Sequence, residues 1–162
     1  MKKIALILVA LVVIAGGVLL YALFHSALQV TGKGLQELNA AERAGDFENH
    51  RLALQRQSLL GTVLRGGELG QPEDYTYFVY TLRLKNSGLV PAEMVEMQIS
   101  PAAGDILYYG ETKEIDIAPG ATRDVWCVLL TEGRPSPVRE IHVTYYLWGN
   151  PQEVKFTYDP SL

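Results

Sequence analysis

The chain has 162 residues, which is enough for one globular domain and a membrane anchor but not for two full domains. Its formal net charge of −4 leaves it without the basic surface that nucleic-acid binding requires. The single cysteine, Cys127, excludes an intramolecular disulfide, so a folded domain must be stabilised by its hydrophobic core.

The N-terminal segment has the composition of a membrane span. An uncharged run from Ile4 to Phe24 follows Lys2 and Lys3. A helix of about 21 residues, rising ~1.5 Å per residue, covers the roughly 30 Å hydrocarbon core of a bilayer. Because lysines are favoured on the cytoplasmic side, the N-terminus is predicted to lie inside and the rest of the chain outside. Residues 1–28 are therefore predicted to form the transmembrane signal anchor of a single-pass cell-membrane protein.

A cleaved signal peptide is the alternative interpretation of this segment. Ala15 and Gly17 form a small-x-small cleavage pattern after a short apolar stretch. The apolar run continues beyond this pattern to Phe24, and a run of that length fits a membrane span better than a signal peptide. A lipoprotein anchor is excluded because the segment contains no cysteine.

The segment from residue 29 to residue 57 is predicted to be a helical connector. It opens with a short flexible break around Gly32. Good helix formers follow, first over Leu35–Gly45 and then over Asp46–Gln57, where Asp46 is suited to cap the second helix. The heptads are too few for a coiled coil, so we expect a helical spacer that lifts the following domain from the bilayer.

From about Ser58 the hydrophobic period changes to the period of two that is typical of strands. Phe78, Tyr80 and Leu82, for example, share one face of a single alternating segment. Turn residues recur roughly every 8–12 residues and no helical segment intervenes, so residues 58–162 are predicted to form an all-β, antiparallel sandwich of seven or eight strands. The predicted strands cover residues 58–65, 75–86, 92–100, 106–109, 113–117, 121–132, 139–148 and 153–158.

Three stretches of this region resemble known domains. LRLKNSGLVPAEMVEMQI, IDIAPGATRDVWCVLL and REIHVTYYLWGNPQEVKFTY are similar to the bacterial Ig-like sandwiches of the CARDB and FxLYD kind. In those families a strand ends in Asn-x-Gly, the next begins after Pro-Ala, and a Pro-Gly turn precedes a long strand. The FxLYD motif itself is not present. The resemblance covers roughly residues 58–158 and implies an Ig-like fold and an extracytoplasmic adaptor or adhesion setting, with no catalytic residues to transfer.

The sequence contains no pattern that predicts catalysis. His25, His50 and His142 are not at metal-ligand spacing with one another, with the cysteine or with a carboxylate. The common metalloprotease, hydrolase and nucleotide-binding motifs are absent. The acidic residues between Glu111 and Asp116 lack the spacing of a calcium loop, so we expect them to be solvated.

Cys127 alternates with Val125 and Leu129, which predicts a buried small side chain and not a reactive thiol. Together these patterns predict that the protein is not an enzyme. We expect no metal or other cofactor, no small-molecule substrate and no nucleic-acid partner.

One face of the last predicted hairpin is a candidate contact face. The residues that alternate with the apolar ones between Ile141 and Leu147 would lie on the solvent side. Large aromatic side chains on a solvent face are enriched at binding interfaces, although they also form ordinary cross-strand pairs. The adjacent Tyr145 and Tyr146 leave open which of the two faces is exposed. The predicted contact face consists of His142, Thr144, Tyr146, Trp148 and Lys155, with Thr157 beside them.

These features predict a membrane-anchored, extracytoplasmic Ig-like module with a binding or structural role. Its partner would be a protein or another component of the cell envelope. The alternative is a subunit of a membrane-associated or pilin-like assembly built through the hydrophobic helix, since archaeal pilins join such a helix to a β-sandwich. The apolar run nevertheless begins directly after Met-Lys-Lys, without a recognisable prepilin processing site.

Overall fold

The computed structural model describes residues 2–24, 27–111 and 113–160, which form a long N-terminal helix and two antiparallel β-sheets. Short 3₁₀ turns lie at Ala40–Arg43 and Pro72–Asp74. The helices and strands are α1 (Lys2–Phe24), β1 (Leu28–Asn39), α2 (Ala44–Gln55), β2 (Thr62–Val63), β3 (Tyr75–Asn86), β4 (Glu93–Ile99), β5 (Asp105–Gly110), β6 (Thr122–Glu132), β7 (Arg139–Leu147) and β8 (Asn150–Tyr158).

The order of strands confirms the predicted Ig-like sandwich. One sheet has the order β1-β3-β6-β5-β2 and the other has the order β4-β7-β8. An Ig constant-type domain has strands A, B, E and D in one sheet and C, F and G in the other. The two arrangements coincide when A to G are assigned to β1, β3, β4, β5, β6, β7 and β8. Helix α2 and strand β2 are then an insertion between the first and second Ig strands.

Helix α1 is apolar on every side and does not pack on the sandwich. The side chains from Lys3 to Tyr21 are exposed, apart from half-buried Gly16, and this stretch is long and apolar enough to cross a membrane. A signal sequence near the N-terminus can also contain an apolar helix long enough to meet this criterion. A helix that is hydrophobic all round is typical of a membrane span, because a soluble helix keeps one polar face.

The predicted helical connector is wrong over its first part. Residues 28–39 form β1, which pairs with β3 from Leu28 opposite Asn86 to Asn39 opposite Thr76. The predicted flexible break falls inside this strand, where a Cβ on Gly32 would meet the Cβ of Arg83 at 3.2 Å. Pairing with β3 overrides the local helix propensity of these residues. The sandwich therefore begins at residue 28 and not at residue 58.

The second part of the connector is helical, as predicted, but it belongs to the domain. Helix α2 begins at Ala44, two residues before the expected cap at Asp46, and ends at Gln55. Its buried Phe47 packs against Tyr75 on the outer face of β3, with 5.2 Å between the ring centroids. The helix therefore covers one sheet and is not a spacer.

The strands bury their alternating apolar residues between the two sheets, as predicted. Phe78, Tyr80 and Leu82 of β3 are fully buried, and they face Ile141 and Val143 of β7 across the core. A buried side chain of this size contributes ~1.5–3 kcal/mol relative to an exposed one. Such a core is sufficient to hold a domain of this length without a disulfide.

The cysteine lies in this inter-sheet core. Cys127 has no exposed surface, and burial raises the pKa of its thiol to about 12. A thiol in this environment is protonated and inaccessible at neutral pH, so it behaves as a small apolar side chain.

Two predicted strands are shorter than expected. The segment 58–65 contributes only the two residues of β2, which pair with β5. The segment 113–117 contributes a single bridge, between Ile117 and Ala92. Neither segment adds a long strand to a sheet, but both lie against the edges of the sandwich.

Candidate contact face

The predicted contact face lies on the outer side of the three-stranded sheet. His142, Thr144 and Tyr146 alternate along β7 with fully buried residues, and Lys155 lies opposite His142 on β8. Tyr145 has no exposed surface, whereas 39% of Tyr146 is exposed. The structure therefore resolves the ambiguity of the two tyrosines in favour of the predicted orientation.

Trp148 does not lie on this face. It forms the tight turn between β7 and β8 together with Gly149, and the φ angles of the two residues are 51° and 75°. Two positive φ angles are typical of a type I′ hairpin turn. The turn was expected one residue later, at residues 149–151, but Asn150 and Pro151 belong to β8. The exposed Trp148 ring is thus at the tip of the hairpin.

His142 is held between two carboxylates. Its Nδ1 atom is 2.7 Å from Oε1 of Glu153, and its Nε2 atom is 2.7 Å from Oε1 of Glu140. Both nitrogens can donate to these carboxylates only when both carry a proton. The hydrogen bond from His142, supported by Lys155, lowers the pKa of the Glu153 carboxyl. The centre of the face is therefore an ionic network.

This network brings together a serine, a histidine and a carboxylate, as a catalytic triad does, and adds a second carboxylate at the histidine. The Ser100 hydroxyl is 3.1 Å from His142 Nε2, and Glu153 holds the opposite nitrogen, as the carboxylate of a triad does. The Glu140 carboxylate is closer to the same Nε2 atom. In the tautomer in which Nε2 donates to Glu140, it has no lone pair for the Ser100 proton and is not a general base. The half-exposed Glu140 also leaves the network open to water.

The acidic character of the face comes from residues that the sequence did not connect with it. Glu96 lies opposite Thr144, and Glu93 lies opposite Tyr146, because β4 pairs with β7. With Glu140 and Glu153, the carboxylates of this surface outnumber its cations. The alternation of β4 indicates which of its residues face outward, but only the pairing of the strands brings them beside the contact face.

A second polar cluster lies on the other sheet, where α2 meets it. His50 Nδ1 is 2.8 Å from the Tyr77 hydroxyl, and the His50 ring is 5.0 Å from that of Tyr109. Trp126 contacts Tyr109 edge-on, and a cleft of about 400 Å³ opens beside these rings. Burial lowers the pKa of His50 and raises that of Tyr77, so the neutral imidazole accepts a hydrogen bond from the protonated tyrosine hydroxyl.

The part of the chain that the structure describes contains no group of three or more histidine, cysteine, aspartate or glutamate side chains placed to hold a metal ion. His50, on α2, lies against the five-stranded sheet, whereas His142 is on the three-stranded sheet, and each is bound to its own neighbours. His25, the third histidine of the sequence, lies outside the described residues.

No protein-family model matches this chain, and no curated protein matches it. It is similar to the crystal structure of a FixG-related protein from Vibrio parahaemolyticus, with 13% sequence identity and a TM-score of 0.40, over 85% of this chain and 100% of that one. A likeness of this size carries no argument about function. The resemblance to the CARDB and FxLYD families remains a prediction.

Proposed function

We propose that the chain is a single-pass membrane protein that holds an Ig-like binding or structural domain at the non-cytoplasmic surface of the cell membrane. The observation that carries this proposal is the exposed apolar helix α1 and its short distance along the chain from the sandwich. The helix ends at Phe24, and the first core residue of the domain is Ala27. Such a helix needs an apolar solvent, and only residues 25 and 26 lie between it and the domain in the sequence.

The charge distribution supports the proposed orientation. Lys2 and Lys3 precede the apolar run, and Lys33 is the next basic residue along the chain. Lysines directly before a span favour a cytoplasmic N-terminus, which places the sandwich on the opposite side.

Labelling with a membrane-impermeant maleimide tests both the anchor and its orientation. The native Cys127 is buried and provides an unreactive background. In intact cells or spheroplasts we expect the exposed position in Glu68→Cys to be labelled, and the matched control Lys3→Cys to be labelled only after lysis. The reverse pattern would invert the topology. A mature chain that begins at Val18 and leaves the membrane fraction would contradict the anchor.

We further propose that the domain binds its partner through the outer face of the three-stranded sheet. This surface combines the exposed Tyr146 ring with an excess of carboxylates. Tyrosine is enriched at binding interfaces, and electrostatic complementarity then favours a basic protein or envelope component as the partner. The proposal assigns no catalytic step to the domain.

Site-specific photo-crosslinking in whole cells tests this face. A photoreactive amino acid at Lys155 should capture a partner that the same amino acid at Lys85 does not. Both positions are exposed, but Lys85 lies on the other sheet. Tyr146→Ser should weaken the capture from Lys155. Identical products from the two positions would remove this face from the proposal.

A second candidate function is a subunit of an assembly built through α1. The observation that favours it is the exposed apolar surface around the helix, where a side chain at Gly16 or Gly17 would meet no other atom within 4 Å. Small residues let membrane helices approach closely. Light scattering of the detergent-solubilised chain distinguishes the two candidates, because an assembly subunit would form large or continuous oligomers, whereas a discrete monomer contradicts this candidate.

A further inference from the structure

Three loops meet at the end of the sandwich where α1 enters. The pairs Leu28–Asn86 and Lys85–Thr122 place the start of β1, the end of β3 and the start of β6 at this end. The buried Asn86 side chain donates to the carbonyls of Val90 and Ile117 at 2.8 Å, which joins the loops of the two sheets. The three loops are residues 87–91, residues 118–121 and the turn at residues 148–149.

These loops are uncharged and expose large apolar side chains. Their sequences are SGLVP, APGA and WG. Leu89 is 64% exposed and Trp148 is 51% exposed. The opposite end of the sandwich is acidic, with exposed Glu42, Glu73 and Asp74 near the end of β1 and the start of β3. The molecule is therefore polarised along its strands.

The connection to α1 limits how far this end lies from the bilayer. The Ala27 amide donates to the Tyr145 hydroxyl at 3.1 Å, and the Ala27 carbonyl accepts from the Ser87 amide at 2.8 Å. The chain is thus fixed to the sandwich from Ala27 onward. An extended chain advances at most ~3.6 Å per residue, so Ala27 lies within about 11 Å of the end of the helix at Phe24. The headgroup layer of one leaflet is itself roughly 5–8 Å thick.

The backbone at Trp148 carries strain that the fold does not require. A type I′ turn favours Asn, Asp or Gly at its first central position, because φ is positive there. A bulky residue with φ of 51° is rare, and such outliers cluster at functional sites. Tryptophan combines an apolar ring with a polar N–H, which suits the boundary between lipid and water.

From these observations we propose that the α1 end of the sandwich rests on the outer leaflet of the membrane, with Trp148 and Leu89 inserted at the level of the lipid headgroups. This inference rests on the proposed membrane anchor. The exposed Lys85 and Arg123 lie on the same end of β3 and β6, where they can approach anionic lipid headgroups. The acidic end then faces away from the bilayer.

Tryptophan fluorescence of the full chain in vesicles tests the inference, because the protein has two tryptophans. Vesicles of phosphatidylcholine and phosphatidylglycerol would carry lipids brominated near the headgroup end of the acyl chains. The Trp126→Phe variant reports Trp148, and Trp148→Phe reports Trp126, which lies on the outer face of the large sheet beside Tyr109. We expect the brominated lipids to remove most of the Trp148 emission and to leave that of Trp126 unchanged.

The outcomes separate the inference from the anchor on which it rests. A chain that floats with the vesicles but shows equal emission from Trp148 in brominated and unbrominated lipid overturns the inference alone. A chain that does not float with the vesicles overturns the anchor. An environment-sensitive fluorophore on Leu89→Cys gives a second readout that leaves Trp148 in place, and a spectrum unchanged by the vesicles would also overturn the inference.

Discussion

The outer faces of the two sheets differ in what covers them. On the five-stranded sheet, α2 buries Phe47 against Tyr75 and shields Tyr77 from solvent. On the three-stranded sheet, the corresponding outward positions of β7 carry His142, Thr144 and Tyr146, and no helix of the described residues covers them. The side chains at outward positions therefore indicate which face has a cover, because a covered face needs apolar residues and a bare face needs polar ones.

The same contrast occurs along a single strand. The outward residues of β3 change from Tyr75 and Tyr77 under the helix to Arg83 and Lys85 beyond it. Arg83 forms a bidentate pair with Asp124 at 2.8 and 2.9 Å in full contact with solvent. Helix α2 thus covers only the half of the sheet that lies far from α1, and the half near α1 is solvated.

The largest effect is expected from removing the Phe47 side chain, through which α2 packs on the five-stranded sheet. Phe47→Ala should lower the free energy of unfolding by ~3–5 kcal/mol, the usual cost of replacing a buried phenylalanine by alanine. Urea denaturation of the detergent-solubilised chain, with both variants made in a Trp148→Phe background and followed by Trp126 fluorescence, measures it. Arg83→Ala, on the bare half of the same sheet, is the control and should leave the midpoint unchanged. Equal midpoints for the two variants would mean that α2 does not stabilise the sheet.

A smaller and opposite effect is expected at the strained hairpin. Trp148→Asn should raise the free energy of unfolding by about 1 kcal/mol, because asparagine tolerates positive φ at the first position of a type I′ turn. Trp148→Phe keeps both the aromatic ring and the strain, so its stability should match that of the native chain. Destabilisation by Trp148→Asn in detergent would show that the ring packs on the domain.

The covered face should make stability depend on pH. His50 has a pKa below its ordinary value of 6.5 because burial disfavours the charged ring. The unfolded chain therefore takes up a proton more readily than the folded one, and stability is lost as the pH falls through 6.5 toward the pKa of the folded state. His50→Gln should remove this part of the slope, as measured by urea midpoints across that range. Tyr77→Phe retains the burial of His50 and should retain the slope.

The smallest effect on stability is expected on the bare face. Tyr146→Ser should change the free energy of unfolding by less than ~0.5 kcal/mol, because substitutions at exposed sites have small effects. Its thermal midpoint should match that of the native chain even where crosslinking through Lys155 is reduced. A clear loss of stability would show that the Tyr146 ring serves the fold and not a partner.

Much of the sandwich could be predicted because its strands alternate strictly. Phe78, Tyr80 and Leu82 on β3 and Ile141 and Val143 on β7 repeat with a period of two, and each of them is buried as expected. Periodicity depends only on neighbouring residues in the sequence, so it identifies strands wherever one face is buried and the other is exposed to solvent. The helix α1 was predictable for the same reason, because its apolar run is continuous in the sequence.

The remainder depends on contacts between distant parts of the chain. Strand β1 contains Gly32, Gly34 and several helix formers, and only its pairing with β3 makes it a strand. The burial of Tyr75 and Tyr77 on the outward face of β3 requires α2, which no pattern within β3 reveals. At the last hairpin, Asn150 and Pro151 resemble turn residues, but the register of β7 and β8 places the turn at Trp148 and Gly149.

The contact face shows the same division. The alternation of β7 correctly placed His142, Thr144 and Tyr146 on one side, with Lys155 beside them. Glu93 and Glu96 became neighbours of these residues only through the pairing of β4 with β7. The position of Tyr146 on this face was thus predictable from the sequence, whereas the displacement of Trp148 into the turn and the acidic character of the face were not.

The short chain distance between α1 and β1 has a mechanical consequence. Tension on α1, with the sandwich held in place, would pull β1 along its own axis. The hydrogen bonds to β3 run across that axis from Leu28 to Asn39, so they share the load and cannot open one after another. A domain loaded through an edge strand in this way resists unfolding, because its hydrogen bonds must break together.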